Sequence, residues 1–494
     1  MTVARTDYRR RLEAQILRWQ GRLDMPEVDR VLPWIYSAVL FVVLALLSLA
    51  RYRSVDTGVD LGGWVQGAWL IGEGLDAEST ITGNHLFAPQ ASFLFWPLAQ
   101  ITRFLPTAGT LLVVQSAALA LAVVPLYRLA RRSAKLRVGA ATVLVLAYSL
   151  YPAVHALNLA DFHPEALAVP ALIAAFVAIR AEKWWRFALL VSVAVLARAD
   201  LALAVAGLGI LLATEGHRRA GTLTAVASLS WFLLAVLVIE PRLAAEGVEQ
   251  VQFLGEYGDT PFGVLGGIVT SPVQFLTDVF SRANFEHMVG LFAPLLFLPL
   301  VAPRFFLPIV PLQMLYLASS VPDEAPAPEL DVAAIAFLMV AAVFGLARTG
   351  QIRVELVNVD RRVLVALAVT AVVFFVRDAP STAYEEPWDW ASRDSRDQAR
   401  REAIDLVPDD APVQASARAL AFLAERGVVY LLDTSGSVIA AERGLEGTDF
   451  VLLDETDAEG WSTVWLDNFD RNLQRNGYQQ VYRAEGVTLY QQVG

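Results

Sequence analysis

L-P-W-I-Y-S-A-V-L-F-V-V-L-A-L-L-S-L-A, from Leu32 to Ala50, holds no charged residue and has about the length a bilayer requires. Arg5, Arg9, Arg10, Arg11, Arg18, Arg22 and Arg30 precede it. Arginine concentrates on the cytoplasmic side of membrane helices, so the run predicts a spanning helix with its N-terminus inside. The polar segment 1–31 reads as an amphipathic cytoplasmic element and not as a cleaved leader.

Similar runs recur: Ala108 to Leu126, Val138 to Val154, Glu165 to Ile179, the short pair Phe187–Ala197 and Leu201–Thr214, Leu223 to Ile239, Val289 to Val301, Phe305 to Ser319, Val332 to Leu346 and Val363 to Val376. They predict an all-α polytopic membrane domain of about eleven spans over 32–377. Ala91 to Leu105 is short and carries Gln100 and Arg103, which fits an interfacial or re-entrant segment. Arg-rich connections at Arg128–Arg137, Arg180–Arg186, His217–Arg219, Arg304 and Arg348–Arg362 all fall on one side of this topology, the cytoplasmic one. Opposite them lie two large external loops, 51–106 and 240–287, and an acidic Pro-rich loop from Val321 to Asp331.

The chain is 56% hydrophobic with 18% charged residues and no cysteine, which excludes a disulfide framework and a thiolate nucleophile. From Asp378 onward hydropathy drops, and 10 Arg stand against 22 Asp and Glu, a net charge of −12. Such a surface disfavours nucleic acid and anionic lipid headgroups as partners. Its runs alternate: Arg393–Leu406 helical, Val413–Ser416 extended, Ala417–Glu425 helical, Val428–Leu432 and Phe450–Leu453 extended, Leu466–Arg475 helical, Tyr478–Tyr490 a hairpin. This predicts a small external α/β domain over 378–494. Thr434-Ser435-Gly436-Ser437 is a turn and no phosphate loop.

Chemistry concentrates in His155–Pro170, H-A-L-N-L-A-D-F-H-P-E-A-L-A-V-P, where one span ends and the next begins. Asp161, His163 and Glu165 are costly there unless used. Helix capping accounts for one carboxylate or two, with Pro164 suited to a first helical turn. The D-x-H spacing also lets Asp161 and His163 turn toward one cation, with oxygen and imidazole as ligands. Asp60 lies on the same external side. It is either the N-cap of a helix over Leu61–Leu70 or a second carboxylate for acid–base or metal chemistry. His85 is a loop histidine of weaker claim. Arg198 and Asp200 either pair with each other or leave Arg198 to grip a lipid phosphate with its planar donor fork. Trp64, Trp69 and Trp96 read as interfacial aromatics or a sugar-stacking surface.

Val59-Asp60-Leu61-Gly62, Gly83-Asn84-His85 with Pro89 and Trp96-Pro97, Pro125-Leu126-Tyr127-Arg128-Leu129-Ala130, Tyr151-Pro152 and Asp161-Phe162-His163-Pro164-Glu165 together resemble a family of bacterial and archaeal polytopic membrane proteins. The resemblance runs on through Tyr257-Gly258 and Ala293-Pro294. Arg198-Ala199-Asp200 stands where that family usually has Lys-Glu-Asp. The family is in turn similar to the GT-C superfamily of membrane glycosyltransferases.

That similarity implies inverting transfer of a sugar from a polyprenyl-phosphate donor to an envelope glycan, lipid or protein at the external face of the plasma membrane. Asp60, Asp161 and His163 match the residues that hold a divalent cation, Mg or Mn, in some members. In metal-free members the match to Asp60 is to the base. Arg198, Arg53 or Arg282 would bind the donor phosphate, with Asp200, Glu165 and His85 nearby. A transporter or lipid flippase, and a non-catalytic envelope-assembly protein, are the competing readings.

Overall fold

The computed structural model describes residues 24–244, 254–319, 326–353, 355–382, 394–432, 447–458 and 460–493. The expectations for segment 1–23 and for the Thr434–Ser437 turn lie outside them.

Helix α1 (Pro26–Arg53) begins on a proline whose fixed φ suits a first turn. It carries Glu27 and Asp29 at its start and Arg51 and Arg53 at its end, as the helix dipole favours. At about 40 Å it runs the depth of the bundle. At its start Asp29 accepts from Arg131 Nε at 2.7 Å and Tyr127 Oη at 2.9 Å, and Asp24 pairs with Arg137 at 3.2 Å. At its end Arg51 meets Asp161 at 3.3 Å. The molecule therefore has an arginine-rich end and an opposite end that holds the candidate chemistry.

After α1 come α2 (Val59–Glu73), α3 (Phe95–Thr102), α4 (Thr107–Ser133) and the broken pair α5 (Val138–Ser149) and α6 (Pro152–Leu159), bent by 41°. Next are α7 (Ala168–Arg180), α8 (Trp184–Ala197), α9 (Leu201–Thr214) and α10 (Arg218–Leu243). The helices then run α11 (Pro261–Thr270), α12 (Pro272–Val279), α13 (Arg282–Phe292), α14 (Val310–Ser319), α15 (Val332–Thr349) and α16 (Arg361–Asp378).

Helix α15 is the core around which the others pack, with Val332 through Val343 all buried. Exposed apolar side chains along α1 (Trp34, Val39, Val42, Leu46), α10 (Leu223, Val226, Leu233) and α16 (Val365, Val369, Val373) give these helices faces suited to lipid. Helices α9 and α10 cross closely: a Cβ on Gly221 would stand 2.5 Å from backbone atoms of Gly209 and Ala213. Small residues at such crossings let helices associate where no hydrophobic difference from lipid drives them together.

Among the described residues four helices are long and apolar enough to cross a bilayer, six if each bent pair is one span, and three more apolar helices are shorter. Two expectations change. Val289–Val301 is not a regular span, because Pro294, Pro299, Pro303 and Pro308 break the chain from 293 to 309 into successive 3-10 turns. Residues 240–287 are not merely a loop, because Pro261 and Pro272 open α11 and α12, which meet at 97°.

The C-terminal sheet is built from β1 (Val413–Ala415), β2 (Val429–Leu431), β3 (Phe450–Asp454), β4 (Tyr478–Ala484) and β5 (Val487–Gln492) in the order β2-β1-β3-β5-β4. The β1–β2 and β1–β3 pairs are parallel, and the last strands form the expected hairpin. With α17 (Ser395–Asp405), α18 (Ala417–Leu423) and α19 (Thr463–Arg475) these strands match the alternation read from sequence. The unit seats on α2: Leu61, Val65 and Ala68 share a core with Leu420, Leu423 and Val413. Gly62 is needed there, since a Cβ would lie 2.8 Å from Leu420 Cβ.

Candidate active site

Helix α2 has no cap of its own, because Gly58 occupies the N-cap position. Asp161, arriving from the α6–α7 connection, supplies one. Its Oδ2 accepts from Gly58 N at 2.8 Å and Leu61 N at 3.2 Å, and its Oδ1 accepts from Arg51 at 3.3 Å. These bonds satisfy the free amides of a first helical turn and place a charge at the positive end of the dipole. Asp60, expected either to cap α2 or to react, is the second residue of the helix and keeps 67% of its side-chain surface open. The capping role thus belongs to Asp161, and Asp60 is left free.

Two facing groups come from elsewhere in the chain. His163 Nε2 lies 4.0 Å from both Asp60 Oδ2 and Glu329 Oε2, and its Nδ1 lies 3.6 Å from Glu165 Oε1. Glu165 is buried, with Oε1 3.1 Å from Arg198 Nη1. Arg198 Nε reaches Asp200 Oδ2 at 3.0 Å, and Tyr316 Oη donates to the same oxygen at 2.7 Å. The His163 turn is fixed by Gln115 of α4, whose Oε1 accepts from His163 N at 2.7 Å and whose Nε2 donates to Asp161 O at 2.7 Å.

Burial opposes a charge on His163, but the Glu165 carboxylate 3.6 Å away, with Glu329 and Asp60 beyond, raises its pKa to about 9. Asp60 is open on one side only. The protein around its remaining surface raises the carboxyl above its ordinary value, and the charge on His163 partly offsets this. With its folded pKa above the unfolded 6.5, His163 contributes stability that is full below about pH 6.5 and is lost as pH rises through about 9. The thermal midpoint is therefore expected to fall between pH 7 and pH 10. His163→Gln removes this component of the fall, as a pH series of melting curves would show.

The other expected site residues distribute as follows. Arg198 and Asp200 pair with each other, as the simpler reading had it, and Arg198 is used up within the protein. Arg282 is exposed and pairs with Glu286. His85 lies half-buried in a short hairpin, where its Nδ1 accepts from Phe87 N. His155 is held by Ser149 O and Ser381 Oγ, both at 2.8 Å, and lies in the packing. Arg53 is exposed at the end of α1. Glu329, Tyr316 and Gln115 were not singled out from sequence. Glu329 sits in the acidic Pro-rich loop, but nothing local to it points to His163.

A divalent cation held jointly by Asp60, Asp161 and His163 does not fit these residues. The Asp161 oxygens are turned to backbone amides and Arg51, and His163 Nδ1 faces Glu165 at 3.6 Å. Among the described residues no group of three or more His, Asp or Glu is arranged to hold a metal ion.

One apolar cavity adjoins this end of the molecule. It measures about 320 Å³ and is lined by Met288, Phe292, Gln313, Met314, Ala334 and Leu338, among others. Helix α14 contributes Tyr316 to the site and Gln313, Met314 and Leu317 to the cavity. The chain from Glu329 through α15 likewise reaches both.

The sequence matches no curated protein. Among solved structures, ArnT from Cupriavidus metallidurans in the apo state superposes with a TM-score of 0.52 at 14% identity, over 92% of this chain and 98% of that one. An oligosaccharyltransferase from Archaeoglobus fulgidus in the apo form gives 0.46 at 13% identity, over 93% and 74%. The chain thus shares its fold with ArnT over nearly the whole of both chains. The motif-bearing stretch also matches a family model over residues 51–489, from the end of α1 through β5, so the chain belongs to the DUF2079 family of predicted membrane proteins.

Proposed function

We propose that the protein is a membrane glycosyltransferase that moves a sugar from a polyprenyl-phosphate carrier to a hydroxyl of an envelope acceptor, at the membrane face carrying Asp60. The observation that carries this reading is the open carboxylate of Asp60 facing His163 at 4.0 Å, with an apolar cavity walled by α14 and α15, next to Tyr316 and Glu329 of the site. Asp60 accepts the acceptor hydroxyl proton as that oxygen attacks the anomeric carbon. The bond from that carbon to the phosphate oxygen breaks, and the polyprenyl phosphate leaves with the electron pair. Configuration at the carbon inverts.

A carboxylate with a raised pKa is a better base near neutral pH than an ordinary one. Protonated His163 stands where it stabilises the anionic form of Asp60 before the reaction. With Arg198 engaged by Glu165 and Asp200, the phosphate-binding role is assigned to Arg53, at the exposed end of α1. The cavity volume falls at the lower end of the range of ligand pockets and suits a few isoprene units of the carrier.

Native mass spectrometry of purified protein with polyprenyl phosphate tests the donor class. Wild type is expected to retain the lipid. Met288→Trp with Met314→Trp, which narrows the cavity, is expected to weaken retention by about tenfold, the loss of roughly 1.4 kcal/mol. Equal retention by both proteins, or none by wild type, contradicts the assignment.

A further inference from the structure

Between the C-terminal domain and the Asp60 helix runs an unbroken chain of charges. Asp457, following β3, accepts from Arg418 Nε at 2.9 Å and from Arg418 N at 3.1 Å. Arg418, in the first turn of α18, donates through Nη1 to Asp56 Oδ1 at 2.6 Å. The other Asp56 oxygen lies 3.7 Å from Arg51 Nε, and Arg51 Nη1 lies 3.3 Å from Asp161 Oδ1. Asp161 then holds Gly58 N and Leu61 N, the amides on either side of Asp60.

The turn so gripped is under strain. Val55, fully buried, has φ of +53°, a conformation that a β-branched residue adopts only when its surroundings force it. Gly58 admits no side chain, because a Cβ there would lie 2.8 Å from Asp161 Oδ2. The start of α2 is therefore set by contacts from three separate parts of the chain: α1, the α6–α7 connection and the C-terminal domain.

We propose that Asp457, Arg418, Asp56, Arg51 and Asp161 form a positioning relay through which docking of the C-terminal domain fixes the first turn of α2 and so aims Asp60. The part of this concerning catalysis rests on the function proposed above. Arg418 and Asp56 touch no reacting atom. They act through Arg51 and Asp161 on the backbone that carries Asp60. The relay gives the domain a task that its acidic surface alone does not suggest. An acceptor that shifts the domain would alter the placement of Asp60 without touching it.

Hydrogen exchange of the full-length protein in nanodiscs reads the relay directly, through peptides covering Asp56–Gly62, alongside kcat and KM for a polyprenyl-phosphate sugar. Asp56→Asn, isosteric and partly exposed, cuts the relay at its middle. It is expected to raise exchange at Gly58 and Leu61 by about tenfold, as expected for local opening. It should lower kcat by a comparable factor while KM for the donor stays within about twofold. Arg418→Ala should do the same, and Arg418→Lys should restore most of both values. Wild-type exchange at Gly58 and Leu61 in both Asp56→Asn and Arg418→Ala would overturn the relay. Faster exchange in the variants with no transfer by wild type would support the relay and count against the proposed reaction instead.

Discussion

Asp60→Asn is expected to lower sugar transfer by about 10²–10⁴-fold, the usual contribution of a positioned general base, while leaving the fold intact. The side chain is largely open and caps nothing, since the α2 amides belong to Asp161. The substitution therefore leaves the capping bonds in place and removes a favourable dipole interaction of a few tenths of a kcal/mol together with the charge facing His163. Turnover and melting temperature measured on the same preparation separate the two effects. Asp161→Asn provides the contrast. It weakens the charge-assisted bonds to Gly58, Leu61 and Arg51, so its loss of turnover should come with a lowered melting temperature.

Arg198→Ala is expected to be the most destabilising single change in the site. The guanidinium is the shared partner of Glu165 and Asp200, all three buried, and it lies 5.6 Å over the Tyr316 ring. Removing one member of a buried ion pair leaves the others uncompensated and typically costs about 3–5 kcal/mol. Equilibrium unfolding in bicelles measures this. The triple variant Arg198→Met, Glu165→Gln, Asp200→Asn should recover part of the loss, because the carboxylates that Arg198 neutralised are then gone as well. A single variant as stable as wild type would show that solvent reaches these carboxylates.

Much of this architecture is legible from the chain itself. The apolar runs that become α1, α4, α10 and α15 stand out by length, and their flanking arginines order them. The C-terminal strands and helices follow their alternation almost residue for residue. The 97° break between α11 and α12 and the 3-10 stretch after α13 were also marked, by Thr260-Pro261, Ser271-Pro272 and the prolines from 294 to 308. Prolines at these positions mark where helices start and break, a signal that apolar length alone does not carry.

The division of labour between Asp60 and Asp161 was not legible. Cap preferences are local, but the carboxylate that caps α2 comes from a connection 100 residues away, because Gly58 leaves the space open. Convergence of Asp60 with His163 was anticipated from their shared membrane face. Glu329, Tyr316 and Gln115 were not, since each enters the site through packing of α4, α14 and α15 that no sequence spacing encodes. Arg198 illustrates the same limit: its charge suggested a phosphate, and its neighbours Glu165 and Tyr316 claim it instead.

Transfer of radiolabelled sugar from a polyprenyl-phosphate carrier to cell-envelope acceptors, by purified wild type and Asp60→Asn side by side, bears most directly on the central claim. The account predicts labelled acceptor from wild type and at least about a hundredfold less from the variant. Equal labelling by the two proteins would contradict the assignment of Asp60 as the base, and no labelling by wild type would contradict the reaction itself.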